Sequence, residues 1–234
     1  MIDMSKLLIA VATATTLLSI MPTQAQAQDQ GSFYVGGGLG LVFGGNTRAD
    51  GIFSSTGSVF DGQRLGPEPG STARGNFDSS PATRLTLGYD LGERRFGRFR
   101  FEGELFYQKA DTNKYSGELN GSELNPAGQV NTAMSGVAVN ALYDIGDFSR
   151  VQPYVYLGYG YAKVKTQYNF SGLGQVEISG NSEILQAGFG VEVPFNERTS
   201  FDLRYRFRRA GLNEGGLDTD IDANTIELGI RYTF

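Results

Sequence analysis

The C-terminal stretch Ile226–Phe234, with the sequence IELGIRYTF, decides the fold. Its apolar side chains fall at every second position, and the positions between them hold Glu227, Gly229, Arg231 and Thr233. Successive side chains of a β-strand point to opposite faces, so a period of two is typical of a strand. One face of this stretch is apolar as far as the last phenylalanine. The stretch therefore predicts a strand that presents a continuous apolar surface.

Seven earlier segments show the same alternation, and together with Ile226–Phe234 they predict eight strands. Each segment is close to the ~9–11 residues that a tilted membrane-spanning strand needs. An even number of strands is expected of a single-chain bacterial membrane barrel. The predicted strands are Ser32–Phe43, Ala82–Leu91, Arg98–Lys109, Asn131–Ile145, Gln152–Lys165, Ser182–Val193 and Ser200–Ala210.

The connections between these strands alternate between long and short. The long, polar connections are residues 44–81, 110–130, 166–181 and 211–221. The short turns are residues 92–97, 146–151 and 194–199, on the side of the two termini. Outer-membrane barrels have short periplasmic turns and long extracellular loops. We therefore predict an all-β protein, an eight-stranded antiparallel transmembrane β-barrel with four long extracellular loops.

The two faces of the strands differ in bulk, and this difference predicts which face lines the barrel. An eight-stranded barrel has an interior only just wide enough for side chains. The glycine-rich and charged face fits this interior, so the face with Phe, Tyr, Leu and Val is predicted to contact lipid. Buried charges need partners, which predicts a salt-bridge network in the lumen. Its predicted members are Arg84, Asp90, Arg98, Arg100, Glu102, Glu104, Glu192, Asp202, Arg204, Arg206, Arg208, Glu227 and Arg231. The alternative is that these side chains form the solvated outer face of a soluble barrel.

The predicted lipid face holds a small number of charged residues, and all of them lie at the loop ends of their strands. They are Lys109, Lys163, Glu183 and Arg209. At these positions a charged side chain can reach the lipid headgroups. Outward aromatic residues group at two heights, as expected for the two membrane interfaces.

The N-terminal segment reads as a secretory signal peptide rather than as part of the fold. Lys6 is followed by the apolar run Leu7–Ile20, and Ala25 and Ala27 provide the small-x-small pattern of a cleavage site. We predict that residues 1–27 are removed and that residues 28–234 form the barrel domain. An uncleaved anchor is the alternative, and Met4 is an alternative start.

Composition excludes several classes of function. The chain has no Cys and no His, which removes disulfides, thiolate metal sites and the commonest general base. Its net charge of −5 argues against a nucleic-acid partner. We therefore expect no enzyme activity, no cofactor and no metal. The acidic cluster Glu214, Asp218, Asp220 and Asp222 reads as a solvated loop, with a weak calcium site or an Asp-based active site as the alternatives.

With these residues placed, the chain resembles the outer-membrane β-barrel domain family, which includes the OmpA transmembrane domain and opacity-type, porin-family surface proteins of alphaproteobacteria. The resemblance lies in Phe33–Gly36, Asn140–Asp144, Pro153–Val155, Gly158–Gly160 and the C-terminal strand. No peptidoglycan-binding segment follows Phe234, so cell-wall anchoring is not implied.

The resemblance also implies a location, partners and roles. It implies a monomer in the outer membrane of a Gram-negative cell, in contact with outer-membrane lipids and lipopolysaccharide, and a barrel assembly machinery that reads Ile230, Tyr232 and Phe234 in the last strand. The roles it implies are envelope integrity or adhesion, through an extracellular ligand that the sequence does not identify. A narrow pore for small solutes is the alternative function, since the lumen arginines would suit anions.

Overall fold

The computed structural model describes residues 31–50, 71–76, 78–94, 97–112, 114–119, 122–124, 128–146, 151–170, 174–214 and 217–234. The predicted signal peptide, residues 1–27 with Ala25 and Ala27, lies outside these ranges and stays a prediction. Within them, no helix is long and apolar enough to cross a membrane.

The described residues form eleven β-strands. They are β1 (Ser32–Asp50), β2 (Ser71–Asn76), β3 (Ser80–Arg94), β4 (Gly97–Thr112), β5 (Lys114–Leu119), β6 (Ser122–Leu124), β7 (Gly128–Asp144), β8 (Gln152–Phe170), β9 (Gly174–Pro194), β10 (Thr199–Glu214) and β11 (Leu217–Thr233).

Eight of these strands form a closed antiparallel barrel, as the alternation predicted. Their order around the barrel is β11-β10-β9-β8-β7-β4-β3-β1, and β11 pairs with β1 to close it. The closing register runs from Tyr34 opposite Thr233 to Leu41 opposite Ile226. Closure removes both edges of the barrel sheet, and unpaired edges would be intolerable in lipid.

The other three strands extend the sheet beyond the extracellular end of the barrel. Residues Ser32–Val42 of β1 pair with β3, whereas the last residues of β1, Asn46–Asp50, pair with β2. The strand β2 then pairs with β5, and β5 with β6. The sheet therefore continues from β1 as an additional ribbon outside the membrane-spanning region.

The strands are longer than the sequence indicated, and this corrects the predicted loops. The predicted third loop, residues 166–181, lies mostly within the β8–β9 hairpin, whose strands end at Phe170 and resume at Gly174. The predicted fourth loop, residues 211–221, lies mostly within β10 and β11. In these segments the outward apolar face ends: Lys163, Lys165 and Gln167 occupy the positions that continue the face of Tyr159 and Tyr161, so the alternation on which the prediction depended stops there.

Side chains alternate between a buried inner face and an exposed outer face along every barrel strand. On the outer face Leu39, Leu228 and Val139 are 71%, 68% and 65% exposed. Because most of the large apolar side chains point away from the barrel, the outer surface is suited to lipid and the core of the protein is the lumen.

Outward aromatic rings pair at both ends of the barrel. At the end with the termini, Phe99 lies 5.0 Å from Tyr143 between ring centroids, and Tyr232 lies 5.4 Å from Phe234. At the extracellular end Tyr159 lies 5.7 Å from Tyr161. These two groups match the two aromatic girdles of membrane barrels.

Candidate functional site

The lumen is the candidate functional site, and the strand register determines how it is filled. In β10, Asp202, Arg204, Arg206 and Arg208 point inward and are at most 8% exposed. The strand β4 lies four strands away from β10 in either direction around the barrel, so it is the opposite wall. Side chains that join β10 to β4 therefore span the lumen.

Two arginine–glutamate pairs connect these opposite walls. Arg206 donates to both carboxylate oxygens of Glu104, at 2.6 and 2.9 Å. Arg204 donates to both oxygens of Glu102, at 3.1 and 3.3 Å. Paired, bidentate contacts of this kind are among the strongest hydrogen bonds that side chains form. They place guanidinium and carboxylate groups across the centre of the lumen.

A second set of contacts joins β3, β10 and β11. Arg84 donates through Nε to Glu227 at 2.6 Å and through Nη2 to Asp202. Glu227 also accepts from Arg206 at 3.3 Å. Because Glu227 contacts two arginines, the pairs form one continuous network rather than separate bridges.

Toward the end with the termini, a further set of ion pairs narrows the lumen. Arg100 donates to Asp144 at 2.5 Å and to Glu192 at 2.8 Å. Glu192 also pairs with Arg231. The guanidinium of Arg100 lies 4.9 Å from the centroid of the Tyr154 ring, a distance at which cation–π attraction adds to the ion pairs.

Glycines opposite tyrosines explain why the inner face is rich in glycine. Tyr34 lies directly across from Gly88, and Tyr154 lies directly across from Gly190. A Cβ atom added at either glycine would overlap the opposing ring. The rings therefore occupy the space above the glycines, and their hydroxyls reach the network: Tyr34 donates to Glu102 at 3.1 Å.

Above the charged network lies a layer of amides. Arg208 donates to Gln186 at 2.7 Å and to Glu104 at 3.0 Å. Gln186 donates to Asn140 at 2.6 Å, and Asn140 donates to Glu104 at 3.1 Å. These amides connect the charged pairs to the less polar region above.

The extracellular end of the lumen is closed by apolar side chains, which the sequence analysis did not anticipate. A cluster of buried residues fills it, each at most 6% exposed. Its members are Phe106, Ala110, Met134, Ala138, Ala162, Val164, Ile184, Ala210 and Ile221. The ring of Phe106 lies 3.6 Å from the guanidinium carbon of Arg208, so the apolar layer rests directly on the network.

The structure brings all the predicted lumen residues together and adds Asp144, which the sequence analysis missed. Arg98 donates to Asp90 at 2.8 Å and lies 3.6 Å from Asp144. With Asp144 included, the ion pairs of the described lumen join seven arginines to seven carboxylates. The inward alternation of Ala138 and Asn140 in β7, continued to its end, would have identified Asp144.

One small cavity lies among the charged groups of the lumen. A cavity of about 10 Å³ is bordered by Arg84, Arg100, Glu102 and Arg231. A cavity of this size holds about one water molecule.

The predicted assembly residues lie at the end of β11 that carries the C-terminus. Ile230 faces outward and is 52% exposed. Tyr232 and Phe234 form the edge-to-face ring pair already described, and the Phe234 N–H donates to the Phe33 carbonyl at 3.0 Å. The C-terminal residue is thus hydrogen-bonded to the first strand of the barrel.

Of the predicted acidic cluster, the structure describes the side chains of Asp220 and Asp222. Asp222 accepts from Arg209 at 2.8 and 3.2 Å, and Asp220 is exposed. The side chains of Glu214 and Asp218 lie outside the described set. Among the side chains that the structure describes, no group of three or more acidic residues is arranged to hold a metal ion.

Comparison with known proteins identifies the sequence family. The profile of the outer membrane protein beta-barrel domain family matches residues 11–234. No curated protein matches the sequence at a significant level.

Solved structures of outer-membrane proteins are similar to this chain over almost their entire length. The outer membrane protein OprG from Pseudomonas aeruginosa is 16% identical, with 89% of this chain and 99% of that chain covered and a TM-score of 0.51. Neisserial surface protein A is 17% identical, with coverage of 86% and 97% and a TM-score of 0.47. The outer membrane protease OmpT from Escherichia coli is 10% identical, with coverage of 91% and 99% and a TM-score of 0.49. At these identities the similarity to OprG supports the fold alone.

Proposed function

The chain belongs to the outer membrane protein beta-barrel domain family, and from this premise we propose that it acts as a closed structural barrel whose extracellular hairpins make its surface interactions. Membership of the family places the protein in the outer membrane of a Gram-negative cell. The proposed role is envelope integrity or adhesion, without enzymatic activity. The alphaproteobacterial origin stays a prediction.

The observation that supports a closed barrel is the pairing across the lumen. The pairs Arg204–Glu102 and Arg206–Glu104 join opposite walls. The apolar cluster around Phe106 closes the extracellular end above them. A solute entering the lumen would have to separate buried ion pairs, and leaving one such charge unpaired costs several kcal/mol, about 3–5. The equal number of arginines and carboxylates also gives the lumen no preference for anions.

Permeability of proteoliposomes tests the closed barrel against the narrow pore. We expect vesicles that contain the refolded protein to swell in small neutral sugars no faster than empty vesicles. An open porin provides the positive control. Swelling that exceeds the empty vesicles and increases with the amount of barrel would support the narrow pore and refute the closed barrel.

The extracellular hairpins are proposed as the interaction surface because they extend far beyond the membrane. The strand β9 has 21 residues, about twice the ~9–11 that a tilted spanning strand needs. Loops and protruding hairpins on a rigid scaffold are where binding specificity is usually found.

A register-matched truncation tests this role. Gly211 of β10 lies opposite Asp220 of β11, so residues 212–219 can be replaced by an Asn-Gly turn without a change of register. The same design between Lys165 and Ser179 shortens the β8–β9 hairpin. We expect the doubly trimmed barrel to keep detergent resistance of the cell envelope and to lose adhesion to host cells or matrix. Full adhesion by the trimmed barrel would contradict the proposal.

Partners within the envelope complete the proposal. We propose that the assembly machinery reads Ile230, Tyr232 and Phe234, and that lipids and lipopolysaccharide contact the outward face. We further propose a monomer, because β1 pairs with β11 and leaves no free edge in the barrel.

A further inference from the structure

The first strand of the barrel supplies little to the lumen network. Its inward positions between Tyr34 and Val42 are all glycines, at 36, 38 and 40, and residues 32–43 include no charged side chain. The inward ring of Tyr34 reaches the network through its hydroxyl, which donates to Glu102 at 3.1 Å. On the lumen side, β1 is therefore joined to its two neighbours mainly through its backbone.

The pairing of β1 with β11 is the seam that closes the barrel. Its ladder runs from Tyr34 opposite Thr233 to Val42 opposite Thr225, and a register shift interrupts it between Val42 and Gly45. Because the seam joins the first barrel strand to the last, its contacts are the most distant in sequence. The entropy of closing the intervening chain is lost before such contacts form. We therefore expect the seam to form late in folding.

One row of the sheet crosses this seam from β3 to β10. Arg84 of β3 is the register partner of Gly38 in β1, and Gly38 is the partner of Gly229 in β11. Gly229 in turn is the partner of Asp202 in β10. The row thus has a charged residue at each end and two glycines between them. Three strand spacings, or about 14 Å along the sheet, separate the backbones of Arg84 and Asp202.

The side chain of Arg84 spans this row. Its Nη2 atom donates to Asp202, and its Nε atom donates to Glu227 of β11 at 2.6 Å. A Cβ atom added at Gly38 would lie 3.0 Å from Arg84 Nε, and one added at Gly229 would lie 2.9 Å from Arg84 Nη2. The guanidinium group therefore lies directly over the two glycines that face each other across the seam.

Other residues hold both acceptors of Arg84 in place. Asp202 also accepts from the Tyr154 hydroxyl, and Glu227 also accepts from Arg206 at 3.3 Å. Arg84 is 4% exposed, so water competes little for its donors. Charge-assisted hydrogen bonds of this kind are about twice as strong as neutral ones. The side chain of Arg84 is thus a fixed bridge from β3, over β1, to β10 and β11.

From this row we propose that Arg84 is a clasp, a side chain that holds the seam between β1 and β11 closed. If β1 separates from β11, β3 moves away with β1, because those two strands stay paired. Both hydrogen bonds of Arg84 must then break. The clasp forms only after β11 has paired with β1, so it slows unfolding and has little effect on the rate of folding. This proposal goes beyond the structural role proposed above, since it identifies the contact that keeps the closed barrel from opening.

A reversible disulfide across the seam tests whether Arg84 acts there. Leu39 and Leu228 are register partners and both are exposed on the outer face. The chain has no cysteine, so Leu39→Cys/Leu228→Cys gives a single disulfide, which diamide forms and a reductant opens. Paired residues in a sheet have Cα atoms about 4.5–5.5 Å apart, within the range of a disulfide. This barrel is the parent, and its unfolding rate in urea is measured in lipid vesicles by gel mobility.

Arg84→Met/Glu227→Gln removes the clasp and keeps the numbers of positive and negative charges equal. With the disulfide reduced, this variant is expected to unfold about 10- to 100-fold faster than the parent, the factor that corresponds to one hydrogen bond to a charged group. Its folding rate is expected to change less than about threefold. With the disulfide formed, the variant and the parent are expected to unfold at rates within about twofold of each other. Arg84→Lys is a milder variant that keeps the charge and loses the fork of donors, and it is expected to follow the same pattern.

Arg100→Met/Asp144→Asn is the matched control. Arg100 is also buried and also joins two carboxylates, Asp144 of β7 at 2.5 Å and Glu192 of β9 at 2.8 Å. None of the three residues lies on a strand of the seam. We expect this control to unfold faster than the parent by the same factor whether the disulfide is reduced or formed. Heat-dependent gel mobility confirms that every variant is folded before unfolding begins.

Two results would overturn the clasp. The first is an unchanged unfolding rate for Arg84→Met/Glu227→Gln with the disulfide reduced. The second is a disulfide that restores the control as fully as the Arg84 variant, or that restores neither, because the contribution of Arg84 would then lie elsewhere in the lumen. The clasp is tested through unfolding rates and the closed lumen through vesicle swelling, so either proposal can fail without the other.

Discussion

Glu104 is the carboxylate on which the lumen network depends most, and its replacement by alanine tests the network directly. Its side chain is completely buried and accepts from Arg206 at 2.6 and 2.9 Å, from Arg208 at 3.0 Å and from Asn140 at 3.1 Å. Glu104→Ala leaves two buried guanidinium groups without their shared partner. Breaking a buried pair by removing one partner costs about 3–5 kcal/mol.

Unfolding by urea in lipid vesicles, followed by gel mobility or circular dichroism, measures this cost. We expect Glu104→Ala to lower the free energy of unfolding by about 3–5 kcal/mol. Glu197→Ala is the control: Glu197 lies in the exposed turn between β9 and β10, and its loss is expected to change stability by less than about 0.5 kcal/mol. A loss below about 1 kcal/mol for Glu104→Ala would refute the reasoning, since it would mean that water reaches the lumen and solvates both arginines.

A double variant separates the cost of leaving a buried charge unpaired from the cost of losing side-chain contacts. In Glu104→Gln/Arg206→Met neither side chain of the pair is charged and the volume is nearly kept. Replacing both partners of a buried ion pair is often neutral, whereas removing one is not. The double variant is therefore expected to be less destabilised than the sum of its two single variants. Strict additivity would show that the two groups do not interact.

The remaining predictions concern the glycines, the lipid face and the C-terminus. Gly88→Val is expected to lower stability by about 1–3 kcal/mol in the same urea assay, because its Cβ overlaps Tyr34, whereas Gly211→Ala meets only an ordinary contact at 3.7 Å and should be tolerated. Leu228→Lys places a charge on the lipid face and is expected to cost roughly 2–4 kcal/mol near the bilayer midplane; no loss would contradict the outward orientation of that face. Deletion of Phe234 is expected to reduce outer-membrane levels in cells much more than the stability of barrels refolded in vitro, and normal levels would count against its role in assembly.

The alternation of side chains predicts the eight barrel strands, though not their full lengths, and all the charged members of the lumen network except Asp144. Arg204 and Arg206, for example, are separated by one residue, which assigns both to the same face, and the bulk of the opposite face then makes theirs the inner one. The partners were not predictable, because Glu102 and Glu104 come from the opposite wall and only the closed register places them there.

The apolar layer of the lumen, the extracellular ends of the strands and Asp144 were not predicted, each for a different physical reason. Phe106 and Met134 point inward although they are bulky. They belong to the layer above the charged pairs, which is filled by apolar side chains and not by ion pairs. The extracellular parts of β8 and β9 read as a loop in the sequence because Lys163, Lys165 and Gln167 interrupt the outward apolar pattern of β8. Asp144 is not predicted because the inward position before it is the apolar Leu142, which interrupts the small and polar pattern of the inner face.

Single-channel recording in planar lipid bilayers tests the closed lumen most directly. The refolded barrel is inserted from detergent and recorded in concentrated potassium chloride, beside Glu104→Ala and an open porin. The cross-lumen pairs and the apolar layer predict that the unmodified barrel shows no stable openings, while the porin conducts. Stable, reproducible openings of the unmodified barrel would contradict the account.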